Sequence, residues 1–204
     1  MNGPLKIGID VDDVVADCAA PYLRAFAAEF GIELGDKPLG WHLLDTYADI
    51  PKEEKEEFRV RLYGGPFFSQ LECYADCADA IARLAEAGHT IHFITARSER
   101  RRVVTEDWLR RHGLLRHASG VHLRTVGDFV PRSYDAGGSA EYKVDRALDL
   151  ALDAFCEDDP LISRRLAEAG VRVFLFDRPW NGDVANERIT RVRDWRHVVR
   201  ELAP

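Results

Sequence analysis

The chain has 204 residues, 46% of them hydrophobic and 31% charged, with a formal net charge of −7. That length suits one good-sized domain, or one domain carrying an insertion, and the composition is that of an ordinary soluble globular protein. The acidic balance argues against a nucleic-acid surface, and no apolar run approaches the roughly 18 residues that a membrane span needs.

Met1-Asn2-Gly3-Pro4 runs directly into the first predicted strand, which leaves no room for a signal peptide and gives the expectation of a cytoplasmic protein. That strand, Leu5 to Ile9, alternates in polarity and stops where Asp10, Asp12 and Asp13 crowd together. Carboxylates at the carboxyl end of a strand lie where open α/β sheets bind ligands. Their mutual repulsion calls for a cation, a shared proton, or both, unless they form a solvated turn. Asp17 to Phe30 reads as a helix closed by Gly31. Residues 31–74 lose periodicity, are punctuated by Gly and Pro, and contain one helix from Pro51 to about Tyr63. Trp41, Tyr47, Phe58, Tyr63, Phe67 and Phe68 make this stretch rich in aromatics, and it reads as a small, mostly helical insertion.

From Ala75 the pattern is regular. A helix carrying Cys77, Ile81 and Leu84 ends at Gly88, and a strand from His89 to Ile94 finishes at Thr95-Ala96-Arg97. Ser98 caps a helix with Val104 and Trp108 on its inner side and Gly113 at its end. Val121 to Val126 reads as a strand, Gly127 to Ser139 as a loop, and Glu141 to Leu152 as a helix with Val144, Leu148 and Ala151 in register. Ala154-Phe155-Cys156 leads into Glu157-Asp158, after which Asp159 and Pro160 start a helix that stops at Gly170 before a strand from Val171 to Phe176. Strands and helices alternating at this spacing predict an α/β fold with a mainly parallel sheet covered on both faces. Cys18, Cys73, Cys77 and Cys156 form no zinc pattern and read as reduced, mostly buried thiols. Arg100-Arg101-Arg102 reads as a solvated helix face.

Four features fall on one edge of that sheet: Asp10 with Asp12, Thr95, Lys143 at the start of its helix, and Glu157 with Asp158. Carboxylates from different strand ends can hold Mg²⁺, which prefers oxygen ligands. A hydroxyl and an ammonium can hold phosphoryl oxygens, and a carboxylate beside a divalent cation can attack phosphorus.

In that order these positions resemble the four motifs of the haloacid dehalogenase (HAD) superfamily of phosphohydrolases. Within it, the stretch from Asp10 to Asp17, Ile94-Thr-Ala-Arg97 and Glu157-Asp-Asp-Pro160 are similar to the 5′-nucleotidase, deoxy type C branch. Phe176-Asp-Arg-Pro-Trp-Asn181 is similar to a set of bacterial nucleotidases in that branch. Two positions depart from the pattern: Asp13 stands where Gly is frequent, and Glu157 where a second Asp is common. The resemblance implies a Rossmann-like, HAD-like core over 1–16 and 75–204 with a helical cap over 17–74. It implies Asp10 as nucleophile, Asp12 as general acid and base, and Thr95 and Lys143 as phosphoryl ligands. Mg²⁺ would be bound by Asp10, the Asp12 backbone carbonyl and Asp158, with Glu157 in support. The substrate would be a small phosphorylated metabolite, a (deoxy)nucleoside 5′-monophosphate first and a sugar phosphate second. A different class, a phospho-accepting receiver-like module, would use similar residues but needs no general acid. Arg97 either contacts substrate or salt-bridges the acidic edge. Trp41, Phe67 and Phe68 either stack a nucleobase or form the cap's own core. Asp177 and Trp180-Asn181 make either a structural turn or a substrate contact.

Overall fold

The structure is a computed structural model, in which residues 3–35, 40–41, 47, 49–125 and 136–202 are described. Its strands are β1 (Lys6–Ile9), β2 (Thr90–Ser98), β3 (Ala118–Arg124), β4 (Ala154–Glu157), β5 (Arg172–Phe176) and β6 (Ile189–Val192). They form one sheet in the order β3-β2-β1-β4-β5-β6, with every neighbouring pair parallel.

The connections are helical. Between β1 and β2 come α1 (Ala19–Phe30), α2 (Lys52–Gly64), α3 (Phe67–Gln70) and α4 (Cys77–Glu86). Then follow α5 (Arg102–Arg111) before β3, α6 (Ala136–Asp149) before β4, α7 (Pro160–Glu168) before β5, and α8 (Trp195–Leu202) after β6. The chain winds outward from β1 to β3 and then crosses to the other side of β1 to begin β4. A right-handed crossover therefore places α6 and α7 on the face opposite α4 and α5. This reversal between β1 and β4 is the topological switch point, beyond which a doubly wound sheet opens a crevice.

Strand alternation divides the core into two layers. Ile7, Ile9, Phe93, Cys156, Phe174 and Phe176 face one layer with Ile81 of α4, Trp108 of α5 and Trp195 of α8. Ile94, Phe155, Val173 and Leu175 face the other, with Ala147 of α6 and Leu166 of α7. Gly8 lies between Ile7 and Ile9 and so faces the second layer, where the packing excludes a side chain. A Cβ there would lie 2.6 Å from Phe155 and 2.7 Å from Leu152.

Several boundaries differ from the sequence reading. β2 continues through Thr95-Ala96-Arg97 to Ser98, because its edge still pairs with β3 at Thr95 and Ser98. β3 begins at Ala118, before the apolar run that marked it, and ends at Arg124, while Val126 lies outside the described residues. Of the expected loop from Gly127 to Ser139, residues up to 135 lie outside the described residues. The remainder is already the first turn of α6, glycines included. The buried stripe of α6 is correspondingly Ala140, Lys143 and Ala147, whereas Leu148 is 55% exposed. Lys143 therefore sits in the middle of its helix, not at its start. β6 and α8 were not anticipated.

The inserted segment keeps its aromatics together. Tyr22 and Phe26 of α1 meet Phe58 of α2 edge-on at 5.6 and 5.5 Å, and Tyr63 lies 4.7 Å from Phe68. These rings belong to the same buried cluster as the sheet face beneath α4 and α5, so the segment is packed onto the core. No helix among the described residues is long and apolar enough to cross a membrane.

Candidate active site

The switch point brings together the ends of β1 and β4. Asp10 continues β1, its N–H donating to the Cys156 carbonyl at 3.0 Å, and shares with Gly8 the face that looks toward α6. There Lys143, only 1% exposed, places Nζ 2.9 Å from Asp10 Oδ2 and 2.8 Å from Glu157 Oε2. The other Glu157 oxygen accepts the N–H groups of Asp158 and Asp159 at 3.2 and 3.1 Å. Asp158 receives the Trp180 indole N–H on Oδ2 at 2.9 Å, while Asn181 Nδ2 donates to its carbonyl at 2.7 Å and to that of Phe176 at 2.8 Å. Trp180 and Asn181 thus hold the loop after β4.

Asp10, Glu157 and Asp158 each present a carboxylate oxygen, all within 4.8 Å of one another. Burial pushes the Asp10 carboxyl well above its usual range; Lys143 opposes this, and Glu157 and Asp12 add to it. Asp158 rises for the same first reason, reinforced by Asp13, Glu157 and Asp10. Burial raises Glu157 too, against the pull of Lys143. Burial alone would lower the Lys143 ammonium, but Asp10 and Glu157 outweigh it and hold it charged. In their ionised forms three carboxylates would outnumber the one ammonium by two charges, a surplus that burial alone resists. Hard oxygen donors with that surplus fit a divalent cation such as Mg²⁺.

Asp12 lies outside this cluster. The backbone turns sharply after β1, with the N–H groups of Val15 and Ala16 donating to the Val11 carbonyl at 3.0 and 2.8 Å. The Asp12 carboxylate points to Arg97, whose Nη2 and Nε donate to its two oxygens at 2.6 and 2.9 Å. This is the salt bridge to the acidic edge that the sequence offered as one reading of Arg97. Its guanidinium also reaches Thr105 Oγ1 at 3.3 Å and stacks on the Phe68 ring, 4.3 Å from the centroid. Thr95 is buried two residues beyond the Ile9–Phe93 pairing of β1 with β2, and its Oγ1 accepts the Arg97 N–H at 3.2 Å.

Asp13 has a larger part than its sequence context suggested. It adopts left-handed backbone, φ 58°, which accounts for a position where Gly is frequent. Its Oδ1 accepts the N–H groups of Cys18 and Ala19 at 3.1 and 2.8 Å, capping α1, whose own N-cap residue Cys18 makes no side-chain cap. Its Oδ2 accepts the Trp41 indole N–H at 2.8 Å. Burial raises its carboxyl to about 6, against the α1 amide and the indole. Its carbonyl accepts two N–H groups of Arg178, at 3.0 and 2.6 Å, and the Val14 carbonyl accepts the Trp195 indole at 3.0 Å. Phe67 and Phe68 are interior rings, packed on each other at 5.4 Å within the main buried cluster. Asp13 and Arg178 were missed as supporting residues. The one signal for Asp13 was its departure from glycine.

A doubly wound sheet with an aspartate-bearing turn after β1, a Thr within β2, a Lys from the crossover helix and an acidic pair at the end of β4 defines a phosphohydrolase of the haloacid dehalogenase superfamily. The family model described as 5′ nucleotidase, deoxy (Pyrimidine), cytosolic type C protein matches residues 4–124, and the chain belongs to that family. A nucleotidase from Clostridium acetobutylicum is 25% identical over 194 residues, covering 95% of this chain and 91% of its own. A haloacid dehalogenase-like hydrolase from Streptococcus pneumoniae superposes with a TM-score of 0.71 at 13% identity, covering 99% of this chain and 100% of that one. The Mycobacterium tuberculosis protein tyrosine kinase A superposes equally well, with a TM-score of 0.71 at 13% identity and full coverage of both chains, 100% and 100%. These two structural likenesses speak for the fold alone.

Proposed function

We propose that this chain is a Mg²⁺-dependent phosphomonoesterase working through an aspartyl-phosphate, with (deoxy)nucleoside 5′-monophosphates as substrates. The observation that carries the chemistry is the buried cluster of Asp10, Glu157 and Asp158, with Lys143 the one cation paired to it among the described residues. Family membership supports the nucleotide, since the matched model and the Clostridium acetobutylicum relative both bear nucleotidase names.

In this reading Asp10 attacks the phosphorus, and the P–O bond to the leaving oxygen breaks as Asp12 supplies that oxygen with a proton. Asp12 then takes a proton from the water that hydrolyses the aspartyl-phosphate. Lys143 and Thr95 hold phosphoryl oxygens. Asp10, the Asp12 backbone carbonyl and Asp158 would hold the metal. A divalent cation here would neutralise the repulsion between the Asp10 carboxylate and the incoming phosphate. Both Glu157 oxygens are committed to Lys143 and to the loop amides, so Glu157 supports the ammonium and the loop. Residues 17–74 act as the cap. The Trp41 indole N–H, donated to Asp13 in the turn after β1, supports that reading.

The test is phosphate release from 5′- and 3′-nucleoside monophosphates and sugar phosphates with Mg²⁺, for the unaltered protein beside Asp10→Asn. Mg²⁺-dependent release from a 5′-nucleotide, lost in the variant, is expected. Equal or better turnover of sugar phosphates would overturn the substrate, and near-normal turnover by Asp10→Asn would overturn the mechanism.

A further inference from the structure

The proposed chemistry needs Asp12 twice, as an acid and then as a base, yet the structure shows it in one arrangement. Both of its oxygens accept N–H groups from Arg97, at 2.6 and 2.9 Å. A carboxylate held in this way has lone pairs to receive a proton and none to give, so this geometry is that of a base. The guanidinium has little freedom of its own. It belongs to a buried side chain, is stacked 4.3 Å from the centroid of Phe68, and is bonded to Thr105 of α5. Its backbone N–H is fastened to the Thr95 hydroxyl. Asp12, by contrast, sits on a tight turn and keeps a partly exposed side chain, 26% against 2% for Arg97. The buried, multiply bonded partner therefore orients the more exposed one.

Resting on the reading of Asp10 and Asp12 above, we infer that Arg97 is the positioning residue of the hydrolytic half-reaction, holding Asp12 to activate the water that releases phosphate from Asp10. In that step a water oxygen forms a bond to phosphorus and passes one proton to Asp12. The bond from phosphorus to the Asp10 oxygen breaks, returning its electron pair to Asp10. Arg97 acts through Asp12 and makes no bond to the reacting atoms. The Phe68 ring beneath it belongs to α3, so the inserted segment reaches the base through this guanidinium.

The assignment separates the two halves of the reaction, which p-nitrophenyl phosphate resolves because nitrophenolate departs without needing a proton. Arg97→Met and Arg97→Lys are compared with the unaltered protein, with Mg²⁺, by rapid mixing and in the steady state. Loss of an oriented base is expected to lower kcat by about 10- to 100-fold, a modest share of what general base catalysis supplies. KM should fall with it, kcat/KM should stay near its original value, and nitrophenol should appear in a burst of about one per active site. Arg97→Lys, which keeps one donor, should recover part of kcat. It also carries the test if Arg97→Met does not fold. A raised KM with reduced kcat/KM and no burst would overturn the inference and make Arg97 a substrate ligand. An unchanged kcat would overturn it as well. Failure of the unaltered protein to turn over any phosphomonoester would instead overturn the underlying function, and this inference with it.

Discussion

Asp13 offers a quantitative test of how the catalytic turn is held, because three substitutions remove different parts of what it does. Alanine deletes the cap on the Cys18 and Ala19 amides, worth about 1 kcal/mol. It also leaves the Trp41 indole N–H without its acceptor, which costs at least about 1 kcal/mol for a part-buried donor. It further places a Cβ-bearing residue without local hydrogen bonds at φ 58°, adding about 1 kcal/mol or more. Asp13→Ala should therefore destabilise by about 3–4 kcal/mol in all. Glycine makes the same first two losses but adopts left-handed backbone freely, so Asp13→Gly should be milder by about 1–2 kcal/mol. Asparagine tolerates the backbone and still caps the amides, and loses mainly the bond to Trp41, about 1 kcal/mol. The order of stability should be Asp, Asn, Gly, Ala, measured by urea unfolding with tryptophan fluorescence. For a chain of this size each kcal/mol moves Tm by about 2–4 °C, so Gly and Ala should separate by several degrees. An alanine variant as stable as the glycine variant would refute the backbone argument. An asparagine variant as damaged as alanine would refute the capping argument.

Two further outcomes follow from other parts of the fold. Gly8→Ala should cost about 1–3 kcal/mol in urea unfolding, because its new methyl would collide with the rings and methyls of Phe155 and Leu152; an unchanged midpoint would mean that layer can yield. His92 Nδ1 and His122 Nε2 lie 3.3 Å apart on neighbouring strands, and desolvation holds both imidazoles below their ordinary value of 6.5. The folded chain then binds fewer protons there than the unfolded one, so stability should decline as pH falls below about 6.5. His122→Gln should flatten that decline in pH-dependent melting, and an unchanged slope would exclude the pair as its source.

Legibility in the sequence followed the physics of each element. Asp10, Thr95, Lys143, Glu157 and Asp158 were readable because a strand end or a helix face reduces to a local pattern of apolar residues. The structure brings Asp10, Lys143, Glu157 and Asp158 into one cluster, and Thr95 lies buried within β2. The glycines that close helices were equally local, as Gly31, Gly88, Gly113 and Gly170 with their positive φ confirm. The start of α6 was not readable, since Gly137 and Gly138 look like loop residues yet lie in its first turn. β6 escaped because Ile189-Thr-Arg-Val192 is short and carries a charge. It is a strand because β5 offers an open edge. Whether Arg97 paired with Asp12 or with a ligand could not be decided from spacing, because the two residues are 85 positions apart and a turn brings them together.

The grip on the turn after β1 comes from far along the chain. The Asp13 carbonyl is held by Arg178 and the Val14 carbonyl by Trp195, at separations of 165 and 181 residues. During synthesis the first strand and its acidic turn leave the ribosome long before the groups that fasten the turn are made. Long-range contacts of this kind form late, after the intervening chain has condensed. The turn must therefore wait as a loose, negatively charged tether while the sheet assembles beside it. A nascent chain halted before Trp195 would carry every reactive side chain and still lack the tension that sets them. Catalytic competence would then arrive as one of the last events of folding, so that partly made molecules stay silent.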